Sequence, residues 1–369
     1  MSRTPRTARR IATAATAIIG LAAAAQPALA AGSSHVYTES NAATGNAVIA
    51  FTAAADGTLT ATGSYPTGGL GTGGGLGSQG AIVRAGRYLL AVDAGSNDVA
   101  VLRIGEGGLS VISRTASGGV SPVSIDVRDG LVEVLNAGGA ANVTGFRLHR
   151  NGTLTAIRGG TRPLSIGAAG GAQVAIAPDA SQLIVTEKGS NTIDTFRLHG
   201  SGRIDTAASH ASNGLTPFGF AFGRGGSLIV SEAFGGAPGA SALSSYSILD
   251  GGFGLLTGSA PTHQTAACWV VTTRDGRYAY TTDAGADTIS GYAVDETGHL
   301  SLLDPSGVTA SVGAGTHPTD AVLASGDRFL YTLDAFSHQV SGFAVAGDGA
   351  LTPVGDAGSL PASTVGLAS

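Results

Sequence analysis

The sequence predicts an all-β protein, a seven-bladed β-propeller of four-stranded antiparallel blades whose ring is closed by the C-terminal strand joining blade 1. Three observations carry this. A strand-end marker recurs seven times, as VYTE to Glu39, LAVD to Asp93, EVLN to Asn136, IVTE to Glu187, IVSE to Glu232, YTTD to Asp283 and YTLD to Asp334. The intervals are 54, 43, 51, 45, 51 and 51 residues, a period that suits four strands per unit and exceeds the coil of a β-helix. Finally, no segment beyond the N-terminal apolar run carries a sustained 3.6-residue apolar stripe.

Taken in order, the chain opens on Arg3, Arg6, Arg9 and Arg10, then an apolar run from Ile11 to Ala25 and the small-x-small triplet Ala28-Leu29-Ala30. That is the pattern of a cleavable signal peptide over residues 1–30, too short in its apolar run for a membrane span. Secretion follows as an expectation. Each later unit is legible in Trp269 to Leu302: strand WVVTT, turn Arg274-Asp275-Gly276, strand YAYTTD, loop AGAD, strand TISGYAV, turn Asp295 to Gly298, strand HLSLL. β-Branched and aromatic residues fill the strands, and Gly/Asp clusters separate them. On this pattern blade 1 spans 35–65 plus 361–368, blade 2 79–115, blade 3 120–158, blade 4 170–208, blade 5 215–258, blade 6 265–303 and blade 7 316–355. Blade 1 lacks a first strand before His35, and the surplus strand in 361–368 supplies it. Such closure ties the termini together and leaves no open sheet edge between blades. Gly-rich Pro66 to Ser78 reads as a long flexible connection between blades 1 and 2.

Composition narrows the partners. Without residues 1–30 the chain keeps 16 basic and 25 acidic residues, a net −9 that suits neither nucleic acid nor an anionic membrane. One cysteine, Cys268, excludes an internal disulfide, so stability must come from packing. A monomer without cofactor is the expectation.

In a propeller the first strand of each blade lines the channel. The residues expected to face it are Gln79, Ser124, Gln173, Gly219, Trp269, Asp320 and Ser363. Outside them lies the ring of second-strand ends, six of seven being carboxylates. Carboxylates at strand ends commonly accept backbone N–H bonds from the following turn. If they instead face one funnel, their mutual repulsion raises some pKa values or attracts a cation. No DxDxDG loop, HExxH, GxSxG or CxxC is present, so no metal site is expected. Lys188, the chain's one lysine against 19 arginines, follows Glu187 at the mouth of blade 4. It reads either as a solvated loop residue or as a group orienting an anionic or carbonyl substrate. Cys268 and Trp269 point to opposite faces of their strand, the thiol into inter-blade packing. Trp269 either fills the channel or stacks on a ring-shaped ligand. His149 and His199 fall at outer turns, whereas His263 and His317 sit near the starts of blades 6 and 7. Blade 5 carries a longer loop, Ala233 to Ala242, which could cover part of the mouth.

The segments AIAPDASQLIVTEKGSNTIDTF, TRDGRYAYTTDAGADTISGYAV and ASGDRFLYTLDAFSHQVSGFAV resemble the seven-bladed lactonase propellers. That family includes 6-phosphogluconolactonase-like and carboxymuconate-cyclase-like proteins and shades into YVTN-type repeats. The resemblance spans residues 35–369 and implies ring opening or closing of a lactone, with histidine, arginine and acidic groups near the channel mouth. It places a histidine in the first strand before a PDG turn, where this chain has Ala172 and Gln173. The acidic position is kept as Glu187. General-base activation of water then falls to Glu187 or Glu232, with Lys188 or Arg162 stabilising the oxyanion. Gln173, Trp269, Asp320, Arg162 and His317 are the expected substrate-binding groups. A phosphorylated sugar fits an acidic, cation-poor mouth badly. The expected activity is therefore hydrolysis of a small-molecule lactone, and the alternative is a non-catalytic extracellular scaffold that binds a carbohydrate or protein.

Overall fold

The computed structural model describes Met1, residues 34–167 and residues 170–369. Beyond Met1, the signal peptide expected over residues 1–30 lies outside the described residues. The chain forms seven antiparallel sheets, each in simple up-and-down order. In blade 1 the order is Val365–Ala368, Ser34–Glu39, Ala47–Ala53, Leu59–Pro66. The C-terminal strand therefore supplies the innermost strand of the first blade, with Tyr37 opposite Ala368 and Glu39 opposite Val365. The other six innermost strands are Ile82–Ala85, Val120–Arg128, Gly171–Ile176, Pro217–Phe222, Ala267–Thr272 and Pro318–Ala324. Blade 6 departs slightly, because its outer edge is split into Leu300–Leu302 and Ala310–Ser311, both paired with Thr288–Val294. Two single 3-10 turns are the only helical pieces among the described residues.

Period-two alternation explains how the blades stack. Both faces of every second strand are covered, so odd and even residues serve different interfaces. Leu89 and Ala91 pack towards blade 1, whereas Leu90 and Val92 pack towards blade 3. Leu131 and Leu135 face blade 4 while Val132 and Val134 face blade 2. An apolar cluster fills each of the seven interfaces, with an eighth around Phe218, Cys268 and Trp269, and that between blades 7 and 1 joins Phe329, Tyr331 and Leu333 to Val36, Phe51 and Leu367. Burial of a Leu, Val or Phe side chain contributes about 1.5–3 kcal/mol, so the seam that closes the ring is built like the other six.

The turns before the outer strands lock neighbouring blades together. Tyr331 Oη donates to the Gly57 carbonyl at 2.8 Å, and Tyr280 Oη donates to that of Gly349 at 2.9 Å. Gly57 has φ of +91°, and a Cβ there would lie 2.3 Å from the Phe329 ring. Only glycine meets both conditions here, and a glycine with positive φ recurs at the turn into the outer strand of the other blades, as Gly108, Gly152, Gly202, Gly251, Gly298 and Gly349.

Candidate functional site

The seven second-strand ends form a buried ring. Glu39, Asp93, Asn136, Glu187, Glu232, Asp283 and Asp334 are all fully inaccessible. Most reach the start of their own third strand. Glu187 Oε2 accepts from Ser190 at 2.9 Å and Thr192 at 3.1 Å. Glu232 accepts from the Gly214 amide and the hydroxyls of Ser244 and Ser259, all within 2.7 Å. Asp283 and Asp334 accept from Ser290 and Ser341. Burial holds these carboxyls above their ordinary range, Glu187 at about 7 with Asp194 adding to the effect, Asp283 at about 8 and Asp334 at about 7. The ring thus organises loops from beneath.

The channel-facing residues are largely engaged in joining blades. Gln173 donates through Nε2 to the Phe220 carbonyl at 2.9 Å and accepts the Phe220 amide at 2.7 Å. Ser124 Oγ accepts from the Val174 amide, and Ser363 donates to the Ser40 carbonyl. Asp320 is buried, with Oδ1 on the Ala321 amide and Oδ2 unpartnered, and burial pushes it to about 8.

The Gly-rich connection between blades 1 and 2 is not the flexible spacer its composition suggests. Asn41 grips it, accepting the Thr72 amide at 3.0 Å and donating to the Gly74 carbonyl at 2.5 Å. Its last residues then cross the top of the channel. Lys188 Nζ donates to the Gly77 carbonyl while lying 4.5 Å from the centre of the Phe218 ring. Trp269 Nε1 donates to the Ser78 carbonyl at 2.9 Å, and Ser78 Oγ donates to Val123. Gln79 spans to blade 6, its amide group paired with both the N–H and C=O of Val270 at 3.0 and 2.7 Å. Gly219 is a glycine because a Cβ there would lie 2.2 Å from Gln79 Oε1. Lys188 is therefore half-buried with its ammonium engaged, and burial lowers its pKa.

Above this crossing lies a cavity of about 550 Å³ lined by Gly75 to Ser78, Trp269, blade 7 and the closing strand. Of the residues expected to act on substrate, Trp269 and His317 line it. Glu187, Lys188, Glu232, Gln173, Asp320 and Arg162 do not, and Arg162 sits on the outermost strand of blade 3. The blade 5 loop folds onto its own surroundings, with the Phe234 amide on Leu215 and the Gly239 amide on Thr265, and does not cover the cavity. Cys268 is buried, its thiol pushed up to about 12 by burial.

Blade 7 contributes what sequence reasoning missed. In blades 2, 4 and 6 the loop after the second strand reads Asp93-Ala-Gly-Ser-Asn97, Glu187-Lys-Gly-Ser-Asn191 and Asp283-Ala-Gly-Ala-Asp287. The last residue of each is left-handed, and its side-chain oxygen accepts a backbone amide at the start of the next blade. The pairs are Asn97 with Ser121 and Asn191 with Thr216 at 2.7 Å, and Asp287 with His317 at 2.8 Å. Blade 7 keeps the backbone but reads Asp334-Ala-Phe336-Ser-His338. Phe336 stands at the glycine position and is 67% exposed, stacked on His317 with centroids 4.3 Å apart and planes 10° apart. Blade 5 also has a phenylalanine here, Phe234, but that ring is tucked against Gly214. His338 keeps the left-handed φ of 56° without a cap to make, and its Nδ1 is buried with no partner. The departure from the sibling loops was the available signal. Among the described residues, no group of three or more His, Cys, Asp or Glu is placed to hold a metal ion.

The fold and cavity define a seven-bladed propeller with one face plugged by its own chain and a pocket above the plug. Comparison narrows this. The family model described as Lactonase, 7-bladed beta-propeller matches residues 255–368, which covers blades 6 and 7 and the closing strand. Among solved structures, a protein from Lactobacillus plantarum aligns with TM-score 0.71 at 17% identity, over 91% of this chain and 98% of that one. The periplasmic gluconolactonase PpgL of Pseudomonas aeruginosa aligns with TM-score 0.68 at 16% identity, over 90% and 98%. A streptogramin B lyase aligns with TM-score 0.58 at 14% identity, over 80% and 87%. Comparison with curated proteins gave no match. The resemblance to lactonase propellers holds for the fold along the chain and for the family match in its last third.

Proposed function

We propose that the protein is a lactonase-like hydrolase acting on a cyclic ester in the cavity beside blade 7. The observation that carries this is the pair of imidazoles, His317 and His338. They are the only ionisable side chains lining the cavity, and neither makes a side-chain hydrogen bond among the described residues. Histidine is the commonest general base, and a base must reach the water it activates. With Nδ1 of His338 buried, its Nε2 is the nitrogen left to meet that water. Water then adds to the lactone carbonyl, the imidazole takes its proton, and the ring opens as that proton passes to the departing alkoxide. The family match and the PpgL likeness support this reaction class. Glu187 and Glu232, behind the loops, act here as loop anchors.

The test is lactone hydrolysis by His317→Gln, His338→Gln and Glu187→Gln. Loss of the working base lowers kcat by about 10²–10⁴-fold, whereas Glu187→Gln leaves turnover close to wild type, as expected of a group that does not line the cavity. Wild-type rates no faster than buffer, or full activity in both histidine variants, would discard the hydrolase. A scaffold that binds without chemistry is the second reading, favoured by the burial of every strand-end carboxylate; it requires saturable binding with no ligand consumed. Export is proposed from the N-terminal pattern alone. A protein recovered from medium with its first residue at Ala31 supports it, and retention of Met1 on the cell-associated product removes it.

A further inference from the structure

We infer that this site takes an uncharged lactone bearing a flat apolar or aromatic ring, and that Phe336 with His317 is its recognition platform. The inference rests on the hydrolase reading for the word lactone, but its ligand chemistry stands on separate observations.

The lining is the first. Leu76, Trp269, Ala335, Phe336, Ala362 and Val365 supply apolar surface, and no Arg, Lys, Asp or Glu is among the lining residues. The nearest ammonium, Lys188, already donates to Gly77 and lies over the Phe218 ring. A phosphate or carboxylate entering the cavity would meet no Arg or Lys, and stripping its water without a permanent countercharge is costly. A polyhydroxylated ring would find few partners beyond the two imidazoles and the lone pairs of three hydroxyls whose protons are already committed. Ser78, Thr319 and Thr364 already donate to the carbonyls of Val123, Leu333 and Pro361.

The second observation is the platform. A phenylalanine two-thirds exposed exposes apolar area to water, and here it does so where three sibling loops carry glycine. His317 holds it flat at 4.3 Å and 10°. A ring laid on the open face of that stack gains offset-stacking energy while shielding the phenyl face. Volume agrees, since about 550 Å³ is ample for a bicyclic ligand with its water. The plug contributes by flooring the pocket: the segment that holds Lys188 away also brings Leu76 and the Trp269 edge to the cavity wall.

Trp269 is the chain's one tryptophan and lines the pocket, so its fluorescence reports occupancy without turnover. The probes are dihydrocoumarin (an aromatic-fused δ-lactone), δ-valerolactone and glucono-δ-lactone, used on the wild type and Phe336→Ala. The expected result is preferential turnover of dihydrocoumarin, with Phe336→Ala lowering its kcat/KM relative to δ-valerolactone by about threefold to tenfold. Because Phe336 is exposed, that variant keeps its fold, which circular dichroism checks. If glucono-δ-lactone is cleaved as well as dihydrocoumarin, or the ratio does not move in Phe336→Ala, the ligand class is overturned while the hydrolase stands. If no lactone is cleaved but dihydrocoumarin quenches Trp269 saturably, and less tightly in Phe336→Ala, the ligand class stands and the hydrolase falls. Neither turnover nor quenching overturns both.

Discussion

His338 shows at one residue how this chain gives up a local cap and leaves a buried nitrogen unpartnered. Asn and Asp suit a left-handed backbone because their short polar side chains bond locally. At Asn97, Asn191 and Asp287 they also cap the next blade. His338 does neither, and its Nδ1 lies buried without a partner. An unpaired buried polar atom costs stability, and places where local rules are broken tend to be functional. His338→Asn should therefore raise stability by about 0.5–2 kcal/mol, read as a higher urea midpoint with unchanged slope, while lactone hydrolysis drops. A less stable variant, or a stable one with full activity, would remove this account of the residue. The sequence held the clue in DAFSH against AGAD and KGSN, but the bulk pattern of strand-end carboxylates drew attention to Glu187 and Glu232 instead. Those groups are buried beneath hydroxyls three to twelve residues away or, for Ser259, across the outer strand, a placement no spacing reveals.

At the scale of the element, the connection from Pro66 to Gln79 is the piece whose composition misleads. Glycine-rich chain in isolation is flexible. Here glycine is required by close approach: a Cβ at Gly71 would lie 2.0 Å from the Asn41 carbonyl carbon, and one at Gly69 2.2 Å from the Asp93 carboxylate. The segment is held by Asn41, Trp269, Lys188 and Val270, residues from blades 1, 4 and 6. Gly71→Ala is accordingly expected to destabilise by about 1–3 kcal/mol, and to increase amide exchange over residues 70–79. A neutral substitution with unchanged protection would show that the segment is loosely held after all. Strands behaved differently. Their alternation of large apolar and small polar residues specified faces and order, because each second strand is buried on both sides and its register is set within one blade.

For the whole molecule, the buried carboxyls make a collective statement about pH. Asp93 sits at about 6, Glu187 and Asp334 at about 7, and Asp283 and Asp320 at about 8, each raised chiefly by burial. In the unfolded chain such groups titrate near 4. The folded state thus binds more protons between about pH 4 and 8, and stability falls as pH rises through that window. The contribution is full below the unfolded values and lost as each folded value is passed. Thermal melts between pH 5 and 9 should show a steadily falling midpoint in wild type and a shallower slope in Asp283→Asn. A midpoint that rises across this range would mean the ring is ionised in the folded protein.

What the sequence determined by itself was the repeat, the count of blades and the closing strand, because each follows from local alternation and turn chemistry repeated seven times. Tertiary structure alone decided which side chains meet. Gln79 reaches Val270 and Ser78 reaches Trp269 across 191 residues of chain, and the path of one glycine-rich segment selected the pocket that stayed open. Such contacts depend on where the ring brings distant blades together, a quantity that no window of neighbouring residues contains.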